Sequence, residues 1–358
     1  MGQKRVTMAD VARLAGVSTT AVSLIMNDRQ GTRLSADAAA RVRAAADTLG
    51  YRPNLTARAL STQKSHVIGF ISDQVTTDRL ASGLIRGALR EAKKHGHVLF
   101  IAETDGEDGA VDGAIEALLD RQVDGIIYAA TRPHALSVPE LVGVTPVVML
   151  NATAEGARGV VLADEYQGAR DIVTLLLDAG HTTDVVIVGR SLDQPDDEWL
   201  TVAVQRRLDG IWDALRSHDV VPVAQIPVQP WSMINGYRSV RALIDDGSVP
   251  AALICLNDRL AFGAYRALGE AGLRVGRDVA VVSFDDDDIA VYLDPMLTTA
   301  AAPFDEMGAA AVRLLLAGVQ PEQEHLVPVP LRVRGSVDVP PDLARTFEMS
   351  PSEPDWVR

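Results

Sequence analysis

Two rhythms of apolar residues divide the chain near residue 66. Before it, apolar positions recur three and four apart in short blocks, the spacing of one helix face. Val11, Leu14 and Ala15 follow Thr7-Met8-Ala9-Asp10, whose Ser/Thr-x-x-acid form is that of a capping box. Gly16 stops that helix. Ser18 caps a second, with Ala21, Val22 and Ile25 inward. Residues 27–31 read as a polar turn. Ser35-Ala36-Asp37 opens a third helix through Val42, Ala45 and Leu49, ended by Gly50. After Pro53, Asn54 caps a short fourth helix over 55–61, and 62–65 is a polar linker.

Beyond that linker, short runs rich in Val and Ile alternate with helical patterns. Strands are expected at 67–71, 98–102, 125–129, 147–150, 185–188, 252–256 and 279–284. Helices are expected at 79–95, 168–179 and 259–271, closed by Gly96, Gly180 and Gly272. This alternation predicts parallel sheets covered by helices. The stretch 67–337 is too long for one such unit, so two α/β lobes are expected. Residues 338–358 hold several prolines and acids with few periodic apolar residues, and read as a disordered tail.

Composition adds three constraints. A length of 358 residues suits about two or three domains. The single cysteine, Cys255, excludes an intrachain disulfide and fits a reducing compartment. No apolar run reaches the roughly 18 residues of a membrane span, the start lacks a secretory signal, and Val6 stands where a myristoylation motif needs Ser or Thr. A cytoplasmic protein without a membrane partner is expected. The net charge of −14 then hides an asymmetry. Residues 1–66 carry ten basic and four acidic side chains, a net of +6, leaving −20 for the remainder. The basic part is an electrostatic footprint for phosphates, although a segment this short can also acquire such a bias by chance. No Walker A motif, G-x-S-x-G elbow, H-E-x-x-H or strand-borne G-x-G-x-x-G is present, and the seven histidines are scattered. Neither an enzyme nor a cofactor is expected.

The segments VTMADVARLAGVSTTAVSLIMND, RVRAAADTLGYRPN and ARALSTQKSHVIGF resemble the headpiece and hinge of the lactose-repressor (LacI/GalR) family. A second block, from Ala252 through FDDDDIAVYLDPMLTT, resembles the C-terminal lobe and crossover of the same regulators. The similarity spans about residues 5–337. It implies an all-α helix-turn-helix headpiece (1–52), a hinge helix and linker (53–65), and a two-lobed α/β effector domain like periplasmic binding proteins (66–337). Within that domain, lobe 1 is expected at about 66–163 and 298–323, and lobe 2 at about 164–297 and 324–337. The implied function is sequence-specific regulation of transcription, as a repressor whose operator affinity is set by a small-molecule effector, expected to be a sugar.

In the headpiece, the N-terminus of the second helix faces base edges in the major groove. The resemblance places base reading at Thr19, Thr20 and Leu24, and phosphate contacts at Thr7, Ser18, Ser23 and Asn27. Leu24 cannot make the two-pronged guanine contact of the arginine common there. Ala21 and Ala38-Ala39 depart from the usual phosphate anchors. Thr19 and Thr20 also suit plain helix-start chemistry. In the hinge, Arg58 would flank the backbone and Leu60 would wedge between central base pairs in the minor groove; the alternative is that Leu60 packs on its own headpiece. One headpiece reads few base pairs, so a homodimer on a pseudo-palindrome of double-stranded operator DNA is expected. No leucine heptad follows Val337, which favours a dimer over a tetramer.

In the effector domain, open-sheet ligands bind at the carboxyl ends of strands. Asp73, Asn257, Asp258 and Asp285 follow predicted strands. The resemblance assigns Arg207, Asn257 and Asp285 to effector contact and Trp231 to the aromatic wall. This set suits a polyol: carboxylates and amides pair with hydroxyls, and an indole stacks on a sugar face. Two assignments stay open, since Asp258 also suits a helix cap and Trp231 also suits the core. The run 285–288 superficially suggests a metal site, but four consecutive acids share no single face, and no metal is expected. After Asp73, Gln74-Val75-Thr76-Thr77 replaces the usual Asn-Pro and aromatic pair.

Overall fold

A computed structural model of the chain describes residues 6–26, 34–51, 64–73, 82–104, 110–130, 135–136, 145–154, 157, 159–190, 202–318 and 323–344. Its contacts divide into two compact units, Met1–His66 and Val67–Arg358.

The first unit holds Met8–Ala15 (α1), Thr19–Met26 (α2) and Ala36–Leu49 (α3). The capping box forms as its spacing predicts: the Asp10 amide donates to Thr7 Oγ1 at 3.4 Å, and the Thr7 amide donates to Asp10 Oδ2 at 3.0 Å. Gly16 ends α1 at φ 66°, a left-handed turn that only glycine adopts cheaply. The chain bends by 103° between α1 and α2, within the range of a helix-turn-helix. Val11, Val22 and Val42 are fully buried where the three helices meet, with Ala15, Ile25 and Ala45 around them. Arg41 on α3 donates to the Ala15 carbonyl at 2.9 Å, closing the last turn of α1. The expected turn at 27–31, the fourth helix at 55–61 and most of the hinge lie outside the described residues.

The second unit has two lobes. Lobe 1 carries Val67–Ser72 (β1), Ser82–Lys94 (α4), Val98–Glu103 (β2), Ala110–Leu119 (α5), Gly125–Ala129 (β3), Ala135–Leu136 (β4), Val147–Leu150 (β5), Thr153–Ala154 (β6) and Gly159–Ala163 (β7). Lobe 2 carries Glu165–Asp178 (α6), Val185–Gly189 (β8), Val202–Ser217 (α7), Ala224–Pro227 (β9), Met233–Asp245 (α8), Ala252–Cys255 (β10), Asp258–Glu270 (α9), Ala280–Asp285 (β11), Ile289–Tyr292 (α10) and Thr298–Ala301 (β12). The chain then returns to lobe 1 for Phe304–Ala317 (α11) and Gln323–Val327 (β13), and crosses again to Leu331–Arg332 (β14). The short helix Pro341–Ala344 (α12) follows, and 345–358 lie outside the described residues.

Both six-stranded sheets follow one plan. Lobe 1 runs β13-β7-β5-β3-β1-β2, all neighbours parallel; lobe 2 runs β14-β12-β11-β10-β8-β9, parallel except for antiparallel β14. In each lobe the first strand lies between the second and third, so the strand order reverses beside β1 in one and β8 in the other. Ligand crevices of open α/β sheets lie at that reversal, beyond the carboxyl ends. The central strands are apolar throughout because helices cover both faces: every residue of β3, β8 and β10 is buried.

With few aromatic residues to fill gaps, helices close on one another through glycine. A Cβ on Gly87 of α4 would overlap the Asp305 carbonyl of α11, and one on Gly263 of α9 would overlap the Met233 carbonyl of α8.

Several strands escaped the sequence reading for identifiable reasons. β13 reads Gln-Glu-His-Leu-Val because it is a sheet edge, where polar residues are tolerated. β12 reads Thr-Thr-Ala-Ala, buried but without bulk. These two strands also correct the lobe boundaries. Residues 298–301 pair with β11 of lobe 2, and 323–327 pair with β7 of lobe 1, so the second and third crossings fall after Ala301 and Val327. α6 starts at Glu165, ahead of the expected 168, because the Asp164 carboxylate accepts from the Gln167 amide at 3.1 Å.

Candidate functional site

The headpiece presents its polar residues at the start of α2. Ser18 Oγ accepts from the Ala21 amide at 3.2 Å and caps the helix, leaving Ser18, Thr19 and Thr20 exposed at its positive end. Ser23 and Leu24 are half-buried on the following turn. Ala21 and Ala38 are buried in the headpiece, so neither offers a surface anchor. Thr7 is exposed, and its hydroxyl donates to Asp10 at 2.6 Å. That bond, with Arg13 nearby, holds the Asp10 carboxyl below its ordinary pKa. Asn27, Arg58 and Leu60 lie outside the described residues.

In the effector domain, four predicted residues form two hydrogen-bonded pairs, joined through Leu256 into one constellation at the carboxyl ends of β8, β10 and β11. Arg207, on the buried face of α7, is its hub. Its Nε donates to Glu165 Oε2 at 2.8 Å and its Nη2 to Glu165 Oε1 at 2.9 Å. Nη1 donates to the Leu256 carbonyl at 2.6 Å, and Nη2 also reaches Asp285 Oδ1 at 3.4 Å. The guanidinium lies 4.5 Å over the Phe284 ring. Burial opposes its charge, but the carboxylates of Glu165 and Asp285 outweigh burial and raise its pKa. Burial pushes the Asp285 carboxyl up to about 6, against the pull of Arg207.

Asn257, beside Leu256, caps α9: its Oδ1 accepts from the Leu260 amide at 2.9 Å. Its Nδ2 donates to the Trp231 carbonyl at 3.4 Å, and Trp231 Nε1 donates to the Gly189 carbonyl at 3.0 Å. Trp231 is half-buried, with one part packed on the lobe 2 core. Asp73 is half-buried just past β1, on the lobe 1 side.

Asp258 stands apart. It is fully buried and is the first residue of α9, not its cap. Its Oδ2 accepts from the Asp287 amide at 2.7 Å and its Oδ1 from Thr299 Oγ1 at 2.8 Å. Burial first, and the Asp285 charge second, drive its pKa well up. It ties α9, β12 and the loop after β11 together.

Between the lobes lies a cavity of about 370 Å³. Ser82, Arg86 and Asp305 line it from lobe 1, and Asp285, Asp286, Asp288 and Arg332 from lobe 2. The four consecutive acids diverge. Asp285 turns to Arg207, Asp286 Oδ1 sits 2.8 Å from Arg334 Nη2, and Asp287 Oδ2 sits 3.7 Å from Arg259. Positive φ at Asp285 (104°) and Asp286 (55°) breaks the alternation of β11 and separates the carboxylates. Glu165, Arg86, Asp305 and Arg332 were not singled out from the sequence. Glu165 reads there as an ordinary first-turn acid, and only the packing of α6 on α7 sets it against Arg207.

A helix-turn-helix unit joined to a two-lobed, cleft-bearing α/β domain is the build of a ligand-responsive transcriptional regulator. Residues 7–54 match the model of the bacterial regulatory proteins of the lacI family, and 173–337 match that of the periplasmic binding protein-like domain. The chain is 31% identical over 339 residues to the ribose operon repressor of Escherichia coli (strain K12), covering 92% of this chain and 99% of the relative. It is 31% identical over 349 residues to the lactose operon repressor of the same organism, covering 94% and 92%. A crystal structure of the lac repressor dimer bound to operator and an anti-inducer superposes with a TM-score of 0.73 at 28% identity, over 94% of this chain and 100% of that one. The chain belongs to the LacI family: it is a DNA-binding transcriptional regulator and not an enzyme.

Proposed function

We propose that this regulator is a cytoplasmic repressor that grips a pseudo-palindromic operator as a homodimer, and that a sugar bound between its lobes changes that grip. The observation that carries the effector reading is the linked set of Arg207, Asp285, Asn257 and Trp231 at the strand-order reversal of lobe 2. Its Asp285 carboxylate lines a cavity whose opposite wall is lobe 1, and the set adds amide and indole groups bonded to the same strand ends. Relatives named for the ribose and lactose operons support a carbohydrate. Asp73 completes the set from lobe 1, while Asp258 holds the floor without touching ligand.

On DNA, Thr19, Thr20 and Leu24 read bases, and Thr7, Ser18, Ser23 and Asn27 contact phosphates. Arg58 and Leu60 act at the minor groove between the two half-sites. Closure of the lobes on a sugar alters how the two headpieces are presented, and operator in turn alters sugar affinity by the same factor.

Fluorescence anisotropy with a labelled pseudo-palindrome from the chain's own upstream region, titrated with salt and then with a sugar panel including ribose and lactose, tests this reading. Tight, salt-sensitive binding shifted by one sugar supports it. Sequence-specific binding that no sugar alters, together with no sugar heat in calorimetry, rejects the carbohydrate. Leu60→Ser is expected to abolish operator bending in a circular-permutation gel assay; unchanged bending removes the wedge.

A further inference from the structure

We propose that Glu165 sets the charge class of the ligand: by occupying the two-pronged edge of Arg207, it makes the cleft a receptor for uncharged polyols and closes it to sugar acids and sugar phosphates. This rests on the carbohydrate reading of the cleft. An arginine at a binding site ordinarily signals a carboxylate or phosphate, which its planar fork holds by two parallel bonds. In this protein that fork is spent. Nε and Nη2 are both on Glu165, at 2.8 and 2.9 Å, with Arg207 and Glu165 each only 7% exposed. Nη1 is on the Leu256 carbonyl.

The cavity wall repeats the arrangement. Arg86 Nε donates to Asp305 Oδ1 at 2.9 Å. Arg332 and Arg334 lie 3.5 and 2.8 Å from the Asp286 carboxylate. The two arginines among the residues that line the cavity, Arg86 and Arg332, are thus each answered by a carboxylate of this chain, as Arg207 and Arg334 are behind them, and Asp288 adds a further carboxylate to the wall beside Asp285 and Asp286. An entering phosphate would have to break one of these pairs and would face like charges on the way in. A neutral polyol displaces nothing: its hydroxyls donate to carboxylate oxygens that retain acceptor capacity.

The test is calorimetry on the full-length protein with matched pairs: ribose and ribose 5-phosphate, glucose and glucose 6-phosphate, galactose and galacturonate. Inorganic phosphate is titrated separately into wild type, Glu165→Gln and the charge-retaining Glu165→Asp. Any neutral sugar that binds is expected to exceed its acidic counterpart by about tenfold or more. Phosphate is expected to bind Glu165→Gln saturably, but neither wild type nor Glu165→Asp. An acid that binds wild type as tightly as its neutral counterpart overturns the proposal, as does a Glu165→Gln protein that still excludes phosphate. If no sugar binds any form, the carbohydrate reading falls and the phosphate titrations still decide the role of Glu165. If Glu165→Gln does not fold, saturable phosphate binding to wild type, or an acid that binds wild type as tightly as its neutral counterpart, still overturns the proposal.

Discussion

Arg206 Nη2 lies 2.7 Å from Glu324 Oε1, and the two residues belong to different lobes. Arg206 is on α7 of lobe 2, next to the buried Arg207; Glu324 is on β13, the edge strand of lobe 1 just before the last crossing. The pair bridges the lobes at partly exposed positions, with 29% and 38% of each side chain accessible. Exposed pairs of this kind contribute about 0.2–1 kcal/mol. A double-mutant cycle of Arg206→Gln and Glu324→Gln is expected to return a coupling of that size in urea unfolding, and a smaller one at high salt. Zero coupling at low salt would mean that this pair adds nothing to the contact between the lobes.

Asp258→Ala is expected to destabilise the effector domain by about 2–4 kcal/mol, because it strands the buried Asp287 amide and Thr299 hydroxyl. Asp258→Asn should lose less than half of that. Its amide oxygen still accepts from Asp287, and its NH₂ can donate to the Thr299 hydroxyl. Urea midpoints of the two variants distinguish this positioning role from direct ligand contact, which would lower sugar affinity with little loss of stability.

Asp285 makes stability depend on pH with a definite sign. Its pKa in the folded protein is about 6, above the roughly 3.9 of an unfolded aspartate. The folded state therefore binds the proton more readily. The contribution is present below about pH 4 and is lost as pH rises toward and through 6. Asp285→Asn is expected to remove that slope and to gain on the order of 1–2 kcal/mol over wild type at pH 7. Thermal melts between pH 4 and 8 check it; parallel curves for the two proteins would show that Arg207 fully compensates the buried charge.

Thr7→Ala removes the cap of α1 and is expected to cost the headpiece about 1 kcal/mol. Thr20→Val leaves the headpiece core untouched and should weaken operator more than random DNA, with an unchanged salt slope. Anisotropy against both DNAs at two salt concentrations separates the effects. Equal weakening on both DNAs would make Thr20 a phosphate contact.

Much of this protein was legible from local chemistry. Thr7-x-x-Asp10, Gly16, Ser18, Ser35 and Gly50 fix where the headpiece helices begin and end, because capping depends on residues three or four positions away. Six of the Val- and Ile-rich runs marked inner strands, since a strand covered on both faces must be apolar throughout, and the seventh marked the apolar edge strand β2. Strand ends then pointed to Asn257 and Asp285. Tertiary structure alone decided what lacks such a local mark. Edge strand β13 is polar, so only its pairing with β7 reveals it and moves the last crossing past Val327. Asp258 and Asp285 are both acids following strands in the sequence, yet one is sealed behind Thr299 and the other lines the cavity. Glu165 lies 42 residues from Arg207, and their pairing arises from the packing of α6 on α7. Sequence sets helix caps and strand interiors because those forces act over a few residues; which charges meet across the cleft depends on contacts between elements far apart in the chain.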